Sequence, residues 1–337
     1  MRRVRMSDIA NELGISTVTV SKAITGREGV SDDLREAIIQ KASEMGYVYN
    51  GLPHAMRMGR TYTIGILISA KYLGESSFYW VFYRHLLSVL KQTPYSGTLE
   101  IVENDEESRC MLPACITANK ADGLILLGQF PDPYLAMITA KVERLIFLDF
   151  YSDIGACDCV ASNNFLGSYN LTKLLIDAGH TRIGFIGSTS ATTSILDRYM
   201  GFCKAMLEVE LPYEPAIDDR DERGQYIDCD LRLGDFTAYI CNNDQLAGIV
   251  IKRLRELGLE VPRDVSIVGF DNESELVTDG LGVTSLEVNL QAMSQTAVKM
   301  LIEHIESNAY QSYGRTFIDG RVVGKQSIAP PKVTRLV

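Results

Sequence analysis

The stretch Ser16-Thr-Val-Thr-Val-Ser-Lys-Ala-Ile24 sets hydroxyl side chains, one ammonium and one outward valine on a segment whose Val20, Ala23 and Ile24 recur at helical spacing. These groups suit a polyanion that displays donor and acceptor edges. Thr17 offers a hydroxyl to a base edge, Val18 an apolar contact for a thymine methyl, and Lys22 a donor for a guanine edge. Ser16, Thr19 and Ser21, with Arg2, Arg3 and Arg5, are placed for phosphate oxygens, which set register without reading sequence.

Three short helices must hold this surface. Ser7 is the expected cap of a first helix with apolar residues at 9, 10 and 13, and Gly14 stops it. Ser16 is the expected cap of the second. A third runs from Asp32 to Met45, capped by Ser31 and ended by Gly46. The first two, joined by a tight Gly-Ile-Ser turn, form a helix-turn-helix, whose second helix lies in the DNA major groove. A helical hairpin with merely polar faces is the alternative.

Charge is divided along the chain. The 337 residues carry 33 Lys and Arg against 43 Asp and Glu, a formal net of −10. Residues 1–60 hold nine basic and seven acidic residues, whereas the remainder holds 24 and 36. Only the amino-terminal end can attract a polyanion.

The seven cysteines are scattered, and with four histidines in the chain no zinc spacing arises, so no metal is expected. Cys157-Asp-Cys159 is the one close pair. No apolar run approaches the ~20 residues that span a bilayer, and the first residues lack a signal peptide's apolar segment. A cytoplasmic protein without membrane contact is expected. No phosphate-binding glycine loop, HExxH or GxSxG is found, so no catalytic residues and no cofactor are expected.

From Thr61 the pattern changes. Thr63–Ser69 reads as a buried strand, followed by a helix at 78–91, a strand at 99–103 and a helical run over 106–119. Strands follow at 123–128, 144–149 and 158–162. The alternation then begins afresh with helix 165–178, strand 182–187, helix 195–208, strand 238–242, helix 244–257 and strand 265–270. Apolar strands alternating with amphipathic helices imply parallel sheets covered on both faces, and two such series imply two doubly wound subdomains. Ligands in such folds lie at the carboxyl ends of the strands.

Met6-Ser-Asp-Ile-Ala, Gly14-Ile-Ser, Thr19-Val-Ser-Lys-Ala-Ile, Val30-Ser-Asp and Met45-Gly-Tyr47, with Asn50, resemble the lactose/galactose repressor family of transcription regulators. Gly179-His180-Thr-Arg-Ile-Gly-Phe-Ile-Gly187, Arg198-Tyr-Met-Gly-Phe202, Asn243-Asp244-Gln-Leu-Ala-Gly248 and Pro262-Arg-Asp-Val-Ser-Ile-Val-Gly-Phe-Asp271-Asn272 extend the likeness over nearly the whole chain.

The resemblance implies a helix-turn-helix domain over 1–49, a hinge over 50–60, and a periplasmic-binding-protein-like effector and dimerisation domain over 61–337. Its subdomains take about 61–161 with 292–322, and about 162–291 with 323–337. The hinge implies DNA contacts at Asn50 and at Met56, an apolar wedge for the minor groove. Pro53 departs from the small residue usual there, and proline suits only a helix's first turn.

By the same resemblance Arg198, Asn243 and Asp271 match effector-binding positions, Asp149 sits at a facing strand end, and Phe78 matches an aromatic position. A guanidinium, an amide and carboxylates complement a sugar's hydroxyls. The alternatives are a surface ion pair for Arg198, a strand-end cap for Asp271 and core packing for Trp80. Ser162-Asn163-Asn164 departs from the family's Asp-Asn pair. His180 is expected to be structural, bonding carbonyls at a helix end, and the acidic run at 218–223 is expected to be a solvated loop.

The expected protein is a homodimeric repressor of carbohydrate-use genes. It would bind double-stranded operator DNA and respond to a carbohydrate between its lobes. With no heptad pattern after the last strand, a dimer is expected. A sugar-sensing protein with a vestigial DNA module is the alternative.

Overall fold

The computed structural model describes residues 4–24, 29–45, 47, 60–73, 78–155, 157–221, 224–273, 281–307 and 310–332. Arg2, Arg3, Asn50, Pro53 and Met56 lie outside the described residues. The chain forms two compact units, Met1–Thr61 and Tyr62–Val337.

The first unit holds α1 (Met6–Leu13), α2 (Thr17–Ile24) and α3 (Asp32–Glu44). Helix α1 begins earlier than Ser7 implied. Arg5 is its cap residue, and the backbone N–H of Arg5 donates to Asp8 Oδ2 at 2.8 Å, which places Ser7 inside the first turn. Gly14 ends α1 at φ +65°, a left-handed conformation that glycine adopts without Cβ strain. Ser16 caps α2, its Oγ accepting from the Thr19 N–H at 3.0 Å. Ile9, Ala10, Val20, Ala23, Ile38 and Ala42 form the core. Arg35 of α3 donates to the carbonyl of Ala23 at 2.9 Å, satisfying an orphan acceptor at the end of α2.

The second unit contains two sheets. The chain runs β1 (Thr63–Ser69), a 3₁₀ turn (Ala70–Tyr72), α4 (Phe78–Leu90), β2 (Ser96–Val102), α5 (Asn104–Ser108), α6 (Ala114–Thr117), β3 (Gly123–Leu127), α7 (Asp132–Thr139), β4 (Leu145–Leu148) and β5 (Asp158–Ser162). It continues with α8 (Asn164–Asp177), β6 (Ile183–Ile186), α9 (Thr193–Glu208), β7 (Ala238–Cys241), α10 (Asp244–Glu256), β8 (Ser266–Phe270), β9 (Thr284–Glu287), α11 (Leu290–Glu306), β10 (Arg315–Ile318) and β11 (Arg321–Val323).

One lobe is built on a six-stranded sheet of order β10-β5-β4-β3-β1-β2 and the other on a five-stranded sheet of order β11-β9-β8-β7-β6. All pairings are parallel except β11 against β9. Strands β3, β4, β6, β7 and β8 are buried throughout, as parallel sheets covered on both faces require. The chain crosses between lobes after β5, between β9 and α11, and between β10 and β11.

Two expectations are corrected here, and one helix is added. The run over 106–119 is two short helices, because Pro113 precedes α6 and cannot donate to a continuing helix. Helix α7 was not foreseen: its Pro133 looks like a breaker yet sits in the first turn, where a missing N–H costs nothing. His180 is structural, but its backbone N–H, not its ring, bonds a helix carbonyl, that of Leu175 at 3.0 Å. Its Nδ1 pairs with Thr237 Oγ1 at 2.9 Å, and its Nε2 lies 3.0 Å from Ser266 Oγ and 2.9 Å from the Ala329 carbonyl, so it fastens the late segment to β8.

All seven cysteines are free, and burial pushes Cys157 up to about 12 and Cys159 up to about 11, so neither is a thiolate at neutral pH. Among the described residues no helix is long and apolar enough to cross a membrane, and no cluster of His, Cys, Asp and Glu can hold a metal ion.

Candidate functional site

The first unit presents the surface read from the sequence. Thr17, Val18 and Lys22 are exposed on one side of α2; Val18 at 65% exposure contributes nothing to its own core. Ser16 and Thr19 are partly committed within the helix, their hydroxyl oxygens lying 2.8 Å apart. Arg5 is exposed at the start of α1.

In the second unit, a cleft of about 870 Å³ lies between the lobes at the carboxyl ends of both sets of strands. Each wall follows from a strand end. Asp149 follows β4, Asn242 and Asn243 follow β7, and Asp271 follows β8. Asp149 and Asp271 adopt φ values of +71° and +95°. Non-glycine residues hold such backbone only at a cost of about 1–3 kcal/mol, and this strain clusters at functional sites.

Arg198 of α9 stands at the centre. Its Nε donates to Asn164 Oδ1 at 2.8 Å and its Nη1 to the Asn242 carbonyl at 2.5 Å. Its Nη2 is 3.7 Å from Asp271 Oδ1, and its guanidinium carbon lies 3.8 Å from the centre of the Phe270 ring. The surface ion pair considered for Arg198 is therefore excluded; both partners are buried. Asn164, the last residue of the Ser162-Asn163-Asn164 stretch, helps to orient Arg198.

Asp149 accepts from Tyr79 Oη at 3.0 Å. Burial pushes its pKa from 3.8 to about 7; the Arg198 charge pulls it back, Asp271 adds to the rise, and the Tyr79 bond opposes it. Asp271 is likewise raised by burial, against the pull of Arg198, and its Oδ1 has no hydrogen-bond partner among the described residues. Asp271 thus pairs with Arg198, and the buried Asp149 feels the same charge. That arrangement calls for further donors, which a hydroxylated ligand carries.

The structure brings Phe78, Asp149, Arg198, Asn243 and Asp271 to one cavity. Asn243 has a second task, since its Oδ1 caps α10 by accepting from Leu246 N–H at 2.8 Å. Trp80 does not line the cavity. Sequence reasoning missed Tyr79, Arg220 and Tyr226, all on the lining. The expectation of a solvated loop over 218–223 is corrected at its centre: Asp219 is fully buried and Arg220 faces the cleft. A run of charges hides which member turns inward; the apolar Ile217 before it, bridged to Ile186 of β6, was the available signal.

Comparison with known proteins bears on both units. The family description "Bacterial regulatory proteins, lacI family" matches residues 5–50, and "Periplasmic binding protein-like domain" matches residues 172–328. The chain thus carries a lacI-family DNA-binding domain followed by a periplasmic-binding-protein-like domain. The HTH-type transcriptional repressor PurR of Haemophilus influenzae (strain PittEE) is 26% identical over 333 residues, covering 96% of this chain and 98% of the relative. The HTH-type transcriptional regulator RegA of Clostridium saccharobutylicum is 28% identical over 306 residues, covering 88% and 91%.

Among solved structures, the lac repressor dimer bound to operator and the anti-inducer ONPF superposes with a TM-score of 0.70 at 21% identity, covering 97% of this chain and all of that one. The CelR–cellobiose complex superposes with a TM-score of 0.68, also at 21% identity, covering 96% and 100%. These structures share the fold. With these two domains the chain is a DNA-binding transcription regulator with a ligand-binding domain, and its relatives are regulators, not enzymes.

Proposed function

We propose that this chain is a cytoplasmic, homodimeric repressor of carbohydrate-use genes. Two helix-turn-helix units bind the half-sites of a pseudo-palindromic operator, and a sugar held between the lobes changes operator affinity. The observation that carries this reading is the pairing of Asp149 and Asp271, buried acceptors at strand ends of opposite lobes, around Arg198. A polyol donates to both carboxylates and accepts from the guanidinium. Binding across the two lobes also gives the sugar different contacts in open and closed arrangements, and that differential affinity is what shifts a conformational equilibrium.

Thr17, Val18 and Lys22 read base edges in this proposal. Ser16, Thr19, Ser21, Arg3 and Arg5 meet the backbone, and Asn50 and Met56 complete the DNA contact through the hinge.

A thermal-shift screen of sugars, sugar phosphates and nucleobases, followed by operator-binding anisotropy with each hit, tests the proposal. A sugar at 100 times its dissociation constant stabilises the folded state by about 2.7 kcal/mol. It is expected both to raise the melting temperature and to alter DNA affinity. Stabilisation by nucleobases alone would overturn the carbohydrate assignment, and DNA binding without salt dependence would overturn the role of the basic headpiece.

A further inference from the structure

The two lobes also touch outside the ligand cavity. Tyr151, in the segment that follows β4 of the six-stranded lobe, donates from its Oη to Asp197 Oδ1 at 2.8 Å, and Asp197 belongs to α9 of the five-stranded lobe. Neither side chain is on the cavity lining. Each is tied in sequence to one that is. Asp149 and Tyr151 flank Phe150, which is buried and stacked on Phe147, and Asp197 immediately precedes Arg198. One segment of each lobe therefore gives one side chain to the cavity and another to the opposite lobe.

Tyr151 is held in place on its own lobe. The guanidinium carbon of Arg315 lies 4.5 Å from its ring centre, and Phe317 meets it edge-on with ring centres 5.9 Å apart. Arg315 and Phe317 stand on one face of β10, two residues apart, and Arg315 is paired with Asp153. The phenol thus loses little freedom when it bonds Asp197, which lowers the entropy cost of the contact.

Two further bonds join the lobes at the same turn of α9. Thr193 N–H donates to Gln129 Oε1 at 2.8 Å, and Ser194 Oγ donates to the Asp149 carbonyl at 3.1 Å. Gln129 follows β3 and Asp149 follows β4, so both acceptors belong to the six-stranded lobe. The start of α9 is where one lobe grips the other, with Tyr151 and Asp197 at the outer rim of the grip. Both are half-buried, and Phe317 beside them is 45% exposed, so water can replace each partner when the lobes part. The buried Arg198–Asp271 pair lies within one lobe and does not resist opening. A half-buried hydrogen bond to a carboxylate is strong enough to bias a two-state equilibrium and weak enough to let it reverse.

We infer that Tyr151 and Asp197 form a latch, outside the ligand cavity, that holds the two lobes closed through the first turn of α9. A ligand that binds the closed arrangement loses affinity when the latch is removed, because its apparent dissociation constant rises as the closed fraction falls.

The test needs no ligand and is independent of the carbohydrate reading. Thr193 is the first residue of α9, where a helix leaves its N–H groups without intrahelical partners, so the amide owes its protection to the Gln129 bond across the lobes. Hydrogen exchange of the full-length protein, read at single-amide resolution, is expected to be about tenfold faster at Thr193 in Tyr151→Phe, which keeps the ring and removes only the hydroxyl. The amides of β4 and β7 are expected to exchange as in the wild type. Asp197→Asn, which keeps an acceptor but loses the charge, is expected to give a smaller rise of about threefold. The double variant is expected to exchange no faster than Tyr151→Phe, since both changes break one bond. Wild-type exchange at Thr193 in folded Tyr151→Phe overturns the latch and leaves Tyr151 a local contact. Faster exchange throughout both sheets overturns it by making the pair part of the general scaffold. A double variant that exchanges at the product of the two single effects overturns it by giving the two residues independent roles.

Discussion

Helix α2 and the cleft use side chains in opposite ways. On α2, Thr17, Val18 and Lys22 stand exposed on a helix held by a small core of Ile9, Ala10, Val20, Ala23, Ile38 and Ala42. In the cleft, Arg198 is bonded to Asn164 and Asn242, and Asp149 to Tyr79, so nearly every group there has partners before any ligand arrives. A surface that reads DNA can change its side chains without disturbing its scaffold. A cleft built from buried charges cannot, because each charge depends on the next for compensation. Stability and function should therefore separate in the first region and travel together in the second.

The largest expected effect tests the coupled region. Arg198→Met removes the cation that pairs with buried Asp271 and acts on buried Asp149, and breaking a buried pair of this kind costs about 3–5 kcal/mol. Chemical denaturation should show that loss, and operator binding by the folded fraction should no longer respond to the effector. A variant with wild-type stability but no response would mean that Arg198 contributes little to the scaffold and would break the proposed coupling.

The next effect is a pH dependence. Asp149 has a folded-state pKa of about 7 against an ordinary 3.8, so between those values the unfolded chain loses its proton first. The contribution of this group to stability is full below pH 4 and is lost as pH rises toward 7, with a slope approaching about −1.4 kcal/mol per pH unit. Asp244, raised to about 7 by burial, acts in the same direction. Asp149→Asn should flatten the wild-type profile between pH 4.5 and 7 by one group's share. A sugar bound by the ionised carboxylate should meanwhile bind more tightly as pH rises over that interval. Parallel denaturation curves for the two proteins would show that Asp149 ionises normally.

The same contrast governs what could be read from the sequence. Helix α2 is local: Ser16, the Val20–Ala23–Ile24 stripe and Gly14 all act within a few residues, so its cap and inward face were legible. Arg5 displaced Ser7 as the first cap because Asp8 bonds the Arg5 N–H, a competition between neighbours that spacing alone does not decide. The parallel strands were legible as apolar runs, but α7 hid behind Pro133. In the cleft, resemblance located Arg198, Asn243 and Asp271, while Tyr79, Arg220 and Tyr226 were invisible. Their roles depend on which strand end lies opposite, as Asp219 shows: its partners Ser188 and Asn242 are 31 and 23 residues away in sequence.

The smallest effects test the separable region, and they come as a pair. Ser16→Ala removes the hydroxyl that accepts from Thr19 N–H, and loss of such a cap costs about 1 kcal/mol of stability. If Ser16 also meets a phosphate, the variant binds all operators more weakly by a common factor, with base preference unchanged. Lys22→Ala should do the reverse. It leaves an exposed position, so the melting temperature should scarcely move, but discrimination at one base pair should fall by about 1–3 kcal/mol in anisotropy titrations against single-base operator variants. Uniform weakening by Lys22→Ala would reassign Lys22 from base reading to the phosphate backbone. A stability loss as large as that of Ser16→Ala would show that α2, like the cleft, uses its outward residues to hold itself together.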